Sequence, residues 1–312
     1  MQNEQFLFVE KYRPATISDC ILPENIKNTF QTYVSKKEIP NLMLVGNAGC
    51  GKTTVAKALC NEVGCDYLFI NSSDENGIDT LRTKISNYAS SVSLSGGRKV
   101  VILDEFDAAT NNFQSAFRNF LETYSTNCTF ILTCNYANKI IQPIHSRCAV
   151  INFTINKTEK RKLITSFFKR VCYILDSENI QYDKESVAAF ITKWFPDNRR
   201  ILNELQRYSI NGKIDVGILS QVGEINLKEL IDSLKDKNFT KVREWVVNNV
   251  HNEPSAIYRK IYDGMYEFLT PNSIPQMVLI IAKYQYQAGF CSDQEINLLS
   301  FMVEVMMDCE FL

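Results

Sequence analysis

The segment Gly46-Asn47-Ala48-Gly49-Cys50-Gly51-Lys52-Thr53 sets glycines, a lysine and a threonine at the spacing G-x-x-x-x-G-K-T. Glycines there let backbone N–H groups turn inward around a phosphate, and a helix that starts at the lysine adds the partial positive charge of its N-terminus. Lys52 can then reach outer phosphates, and the Thr53 hydroxyl can ligate Mg²⁺. Farther on, the apolar run 100–103 ends at Asp104-Glu105-Phe106-Asp107. A carboxylate delivered at the C-terminal end of a buried strand is the second half of such a site. Asp104 would hold the metal and Glu105 would orient or deprotonate an attacking water, an arrangement that favours hydrolysis over transfer to a small alcohol. Farther still, Phe195-Pro196-Asp197-Asn198-Arg199-Arg200 opens a helix with two arginines in its first turn. Cations there oppose the helix dipole, a cost explained if one of them reaches an anionic ligand.

These groups need elements to hold them. Between residues 40 and 143, short β-rich runs at 42–45, 67–70, 99–103 and 129–133 alternate with helical patterns, and a further run lies at 150–153. That alternation predicts a parallel sheet covered by helices. From 157 the pattern is helical only, with helices expected at 159–175, 183–195 and 198–208. A glycine-bearing joint at 210–224 precedes five more, at 227–235, 240–249, 254–269, 274–287 and 293–309. Three domains are therefore expected: a nucleotide-binding domain at 1–155, a helical lid at 156–225 and an all-α block at 226–312. Apolar positions at 277–281 and 298–307 suggest faces buried against something.

Composition narrows the class. The 312 residues carry 34 Lys+Arg against 35 Asp+Glu, a net charge of -1 that shows none of the basic footprint of an autonomous nucleic-acid binder. By segment the balance shifts, with 12 basic and 9 acidic residues at 151–225 and 8 and 12 at 226–312. The 10 cysteines form no C-x-x-C pair and no zinc spacing, which predicts scattered reduced thiols in an intracellular protein. Glu4, Glu10 and Lys11 interrupt any leader, and no apolar run approaches membrane-spanning length, so a cytoplasmic location with no membrane partner is expected.

Four further motifs carry a family resemblance. Glu10-Lys11-Tyr12-Arg13-Pro14 matches a VEKYRP box, and 69–82 is similar to LNASDxRGIDxxR. Gln114-Ser115-Ala116-Phe117-Arg118-Asn119 resembles AQxALRR, and Ser146-Arg147-Cys148 matches an SRC element. With the phosphate loop they resemble the AAA+ sliding-clamp loader subunits of the replication factor C small-subunit type, over residues 9–208. Asn76 and Asn119 stand where that family carries arginine, and Phe195-Pro196-Asp197 where cellular members carry Gly-Asp. These departures are most similar to the large ATPase subunits of T-even-type bacteriophage loaders.

The resemblance implies an AAA+ α/β fold with a parallel sheet, a helical lid and an all-α collar, and an ATPase that uses ATP and Mg²⁺. Val9, Glu10, Lys11, Tyr12 and Ile21 would lie near the base, and Gly49, Cys50, Gly51, Lys52, Thr53 and Thr54 around the phosphates. Asn135 would be a water-positioning sensor, although an Asn after a strand also reads as a turn residue. Arg199 would contact the γ phosphate from the lid, and Arg147 would act in trans on a neighbouring subunit's ATP. Arg82 and Arg118 are candidates for phosphate contacts to DNA, with Lys84 weaker; Arg118 could instead join Gln114 in an internal network reaching Glu105. Ile85 and Tyr88 could plug a clamp pocket or simply pack in the core. The implied partners are sister copies and a smaller subunit in a ring-like, pentameric assembly, a sliding clamp, and primer-template DNA held without sequence preference. The implied function is an ATP-hydrolysing subunit that opens the clamp and loads it onto DNA during replication. The alternatives are a non-hydrolysing structural subunit, or another AAA+ DNA-processing ATPase such as a helicase loader or branch-migration motor. A chain with so even a charge balance should bind DNA poorly by itself.

Overall fold

Five short apolar runs pair side by side in the computed structural model, which describes residues 6–73, 78–91, 98–210, 212–215, 217–218, 227–250 and 254–312. They are β1 (Leu42–Val45), β2 (Tyr67–Asn71), β3 (Lys99–Asp104), β4 (Cys128–Cys134) and β5 (Ala149–Asn152), in the order β2-β3-β4-β1-β5. All the pairings are parallel, with Leu42 opposite both Ile131 and Ala149. Every residue of β4 is buried, because it lies between two strands and is covered on both faces.

The connecting helices supply those covers. On one face α2 (Glu24–Lys36) and α3 (Lys52–Val63) pack Phe30, Val55 and Leu59 against Leu42, Leu44 and Ile131. On the other, α4 (Ile78–Ser90) and α5 (Asn111–Thr123) bring Ile85, Phe113 and Phe117 onto Met43, Val101 and Phe130. α5 starts where the Thr110 side chain accepts from Phe113 N, an N-cap that satisfies one of the free donors of the first turn. A short N-terminal helix, α1 (Phe8–Lys11), and a helical turn, α6 (Gln142–His145), complete this layer.

After β5 the chain becomes helical, as the periodicity predicts, with α7 (Lys157–Ser177), α8 (Lys184–Trp194) and α9 (Asn198–Ser209). Asp183 caps α8 and Asp197 caps α9, each accepting a backbone N–H three residues on. A two-residue parallel pairing of β6 (Gln181–Tyr182) with β7 (Lys213–Ile214) was not foreseen, since two residues are too few to show a period. The first compact unit covers 1–219 and so contains both the sheet layer and this lid. The expected boundary at 225/226 and the glycine joint from 219 onward lie outside the described residues, as do Asp74, Glu75, Asn76 and Gly77 of the second motif.

The second unit covers 220–312. It is built from α10 (Leu227–Lys235), α11 (Phe239–Asn249), α12 (Pro254–Gly264), α13 (Ile274–Ala288) and α14 (Gln294–Asp308). Its core joins Leu230, Trp245, Tyr258, Met277, Phe301 and Met302. The apolar faces at 277–281 and 298–307 are thus buried largely within their own unit, leaving Val278, Leu279 and Met307 exposed. No helix among the described residues is long and apolar enough to cross a membrane.

Candidate active site

β1 runs into the phosphate loop, and α3 leaves it at Lys52. The turn between them depends on Gly49 at φ 73° and Gly51 at φ 96°, a region that costs other L-residues about 1–2 kcal/mol. Lys52 is buried, and its Nζ donates to Gly46 O at 2.7 Å, Asn47 O at 2.9 Å and Asn135 Oδ1 at 2.9 Å. Asn135 therefore faces the lysine directly from the residue after β4. Thr53 Oγ1 donates to Asp104 Oδ1 at 2.6 Å, bringing together the two oxygens expected to hold Mg²⁺.

Glu105 adopts the left-handed region, φ 53° and ψ 42°, as β3 gives way to a helical turn. Thr133 makes that possible from the neighbouring strand. Its hydroxyl donates to Asp104 Oδ1 at 2.6 Å and accepts from Glu105 N at 3.1 Å, so one buried oxygen fixes the Asp104 carboxylate and the Glu105 backbone. Sequence reasoning passed over Thr133, which reads as an ordinary β-branched strand residue; its register opposite Leu44 puts it beside the loop.

All these groups line one cleft, of about 160 Å³, that also takes in Val9, Tyr12, Ile21 and Arg199. Glu10 and Lys11, expected beside the base, do not line it. Glu10 pairs with Arg13, whose hydrogen bond holds the Glu10 carboxyl below its ordinary pKa, and Lys11 Nζ lies 2.7 Å from Glu178. Two arginines that sequence reasoning missed do line it. Arg13 Nη1 donates to Thr54 Oγ1 at 2.9 Å, and Arg170 on α7 donates through Nη2 to Tyr12 O at 3.3 Å. Arg13 sits within the N-terminal box and was open to notice there, whereas Arg170 carries no local signal on a solvated helix.

The lid meets the loop at the N-terminus of α9. Asn198 N donates to Gly49 O at 3.1 Å, beside the Asp197 cap. Arg200 stacks its guanidinium 3.4 Å from the Trp194 ring centre and stays out of the cleft, leaving Arg199 as the lid arginine that lines it. Arg147 does not line the cleft; it pairs with Glu122 at 2.5 Å and donates to Pro143 O at 2.8 Å. Cys50 and Cys134 do line it, as small fillers, and burial raises both thiols, Cys134 to about 11, so both stay protonated. Cys148, next to Arg147, is pushed up to about 12 for the same reason.

The remaining candidates divide. Arg82 and Arg118 are exposed on α4 and α5. Gln114 is buried and bonds only main chain, to Ala109 O, Lys139 O and Ile141 N, so these bonds form no relay between Arg118 and Glu105. Ile85 is fully buried in the sheet core, which removes it as a plug for a partner's pocket. Tyr88 stacks beside the buried Lys99 ammonium, 4.7 Å from its ring centre.

Comparison with known proteins agrees with this arrangement. The family model of ATPases associated with various cellular activities matches 42–155, and that of the sliding-clamp-loader large subunit, AAA+ ATPase lid domain, matches 159–220. The chain is 35% identical over 317 residues to the sliding-clamp-loader large subunit of Enterobacteria phage T4, covering 100% of this chain and 99% of that one. It is 36% identical over 252 residues to a replication factor C small subunit of Methanococcus maripaludis, covering 77% of this chain and 78% of the relative. Among solved structures, the Thermotoga maritima RuvB Holliday junction branch migration motor superposes with a TM-score of 0.52 at 15% identity, over 79% of this chain and 80% of that one. That likeness speaks for the fold alone. With a full-length relative at this identity and the lid matched as well, the chain belongs to the sliding-clamp-loader large-subunit family of AAA+ ATPases.

Proposed function

We propose that this chain is the ATP-hydrolysing subunit of a DNA sliding-clamp loader, opening a clamp and placing it on primer-template DNA with hydrolysis stimulated by that DNA. The observation that carries the reading is the separation of Arg147 from a cleft that gathers Lys52, Thr53, Asp104, Glu105 and Asn135. A site so arranged takes its last cation from a neighbour, which suits an enzyme that works only when assembled. The non-hydrolysing alternative fits poorly with an Asp104 carboxylate and a Glu105 backbone both held by Thr133.

In this reading Lys52 exchanges its carbonyl acceptors for the outer phosphates of ATP, and Asn135, its side-chain acceptor, positions the attacking water. Glu105 orients or deprotonates that water. Thr53 and Asp104 offer the hard oxygens that fit Mg²⁺, which when bound neutralises charge between the phosphates. Arg199 reaches the γ phosphate from the lid, and Arg147 serves the next copy in a pentameric ring that also holds a smaller subunit. Arg82 and Arg118 contact DNA phosphates, which carry no sequence information. A few such residues per copy build the footprint that a net charge of -1 denies to one chain.

The test is ATP turnover by this chain assembled with the small loader subunit, with and without clamp and primed DNA. Strong stimulation by both together is expected, and turnover indifferent to both would sink the loader reading. Arg147→Ala should keep ATP binding while stimulated turnover falls by about 10³-fold or more.

A further inference from the structure

The N-terminal segment that reaches the cleft is held from two sides by the lid. Gln206, buried on α9, brackets its start: Oε1 accepts from Phe8 N at 2.9 Å and Nε2 donates to Phe6 O at 2.8 Å. Glu178, just past the end of α7, takes its other end: it accepts from Tyr12 Oη at 2.6 Å and lies 2.7 Å from Lys11 Nζ. Arg170 on α7 adds a bond to Tyr12 O, and Tyr173 meets the Tyr12 ring edge-on at 6.4 Å. The attachment changes sides immediately afterwards. Ile17, Cys20 and Leu22 belong to the sheet-domain core, and Ile17 N donates to Glu62 on α3 at 2.6 Å. Between the two lies Arg13, which joins Glu10 to Thr54 on α3.

From this division we infer that residues 6–12 are a strap belonging to the lid, with Glu178 and Gln206 as its positioning residues, so that the nucleoside end of the cleft closes only when the lid does. The inference rests on the nucleotide reading above and deepens it. Phosphates are gripped by the loop whether or not the strap is seated, because Lys52 and Thr53 are fixed by the sheet domain. The nucleoside end is lined by Val9 and Tyr12, which the lid carries, facing Ile21, which sits between Cys20 and Leu22 of the sheet-domain core. Neither Glu178 nor Gln206 lines the cleft, so neither touches a bound nucleotide directly, and both hold the strap that does.

Two ligands separate these contributions: ATP, which engages both ends of the cleft, and inorganic tripolyphosphate, which has no nucleoside. Gln206→Leu and Glu178→Ala should each weaken ATP binding by about tenfold, the scale of one or two lost hydrogen bonds to polar or charged partners, with tripolyphosphate held within about twofold. Hydrogen exchange should rise in the amides of 8–12 in both variants. Glu178 is partly exposed, so its variant keeps the test alive if the buried Gln206 substitution does not fold. Equal weakening of both ligands, or of neither, overturns the strap. If the unmodified chain binds ATP no better than tripolyphosphate, the nucleoside pocket itself is refuted, and the strap with it.

Discussion

A Cβ added at Gly49 would stand 1.8 Å from Asp197 Oδ1, so the phosphate loop and the lid's helix cap meet with no space for a methyl group between them. Gly49 also sits at φ 73°. Asp197 accepts from Arg200 N at 3.0 Å, so moving its carboxylate aside uncaps α9. Gly49→Ala should therefore cost about 2–3 kcal/mol, from about 1–2 for the backbone and about 1 for the displaced cap. Adding Asp197→Gly removes the clash and keeps a tolerable cap, and should restore about 1 kcal/mol in the double variant. Denaturant melts of the three variants measure both numbers. Strict additivity of the two single effects would show that the carboxylate and the loop do not compete for space.

Glu105 predicts a trade between stability and chemistry. Its left-handed backbone is unfavourable for a side chain and free for glycine, against which glycine has more unfolded-state entropy to lose. Glu105→Gly should be more stable than Glu105→Ala by about 0.5–1 kcal/mol, while both lose turnover and keep ATP binding. Thermal unfolding beside single-turnover hydrolysis checks the pair. Equal melting temperatures would remove the strain argument.

Thr133→Val keeps the shape and removes the hydroxyl shared by Asp104 and Glu105 N. Leaving the partly buried Glu105 N–H without its acceptor should cost about 1 kcal/mol. Because the Asp104 carboxylate and the Glu105 backbone both lose a partner, kcat should fall by about 10²-fold while the Kd for ATP measured without Mg²⁺ changes little. A kcat within twofold of the unmodified chain would show that the strands alone orient the acids.

The strap's ionic end should titrate. Hydrogen bonds from Lys11 first and Tyr12 next hold the Glu178 carboxyl below its ordinary value of 4.5. An acid depressed by folding stabilises the native state above its unfolded pKa, and that contribution is lost as pH falls through the folded value. Protonated Glu178 resembles glutamine, so the gap in Tm between the unmodified chain and Glu178→Gln should be constant from about pH 7 to about pH 5.5 and close below about pH 4. A gap still open at pH 3 would mean that charge is not what Glu178 contributes.

Several parts of this protein were legible because their signals are local. The loop at 46–53, the acids at 104–105 and the five strands are written in neighbouring residues, and helix ends from 157 onward fall within two or three residues of the periodic pattern, apart from α12, which turns to 3₁₀ at 265–267. The same locality explains why Arg199 could be favoured over Arg200 but not proved: only folding puts Trp194 under one of them. Ile85 shows a three-residue spacing open to a partner or a core, decided when α4 laid that side chain on the sheet.

What the tertiary structure alone decided are relations between distant residues. Gln206 reaches Phe8 across 198 positions, Tyr12 reaches Glu178 across 166 and Arg13 reaches Thr54 across 41, and no pattern in the chain announces such pairs. The reason is physical. Phosphate binding needs backbone geometry that a few consecutive glycines can specify, so eight residues declare it. Closing a lid over a nucleoside needs polar groups from separate helices to meet at hydrogen-bond distance, and only the packed core sets that distance.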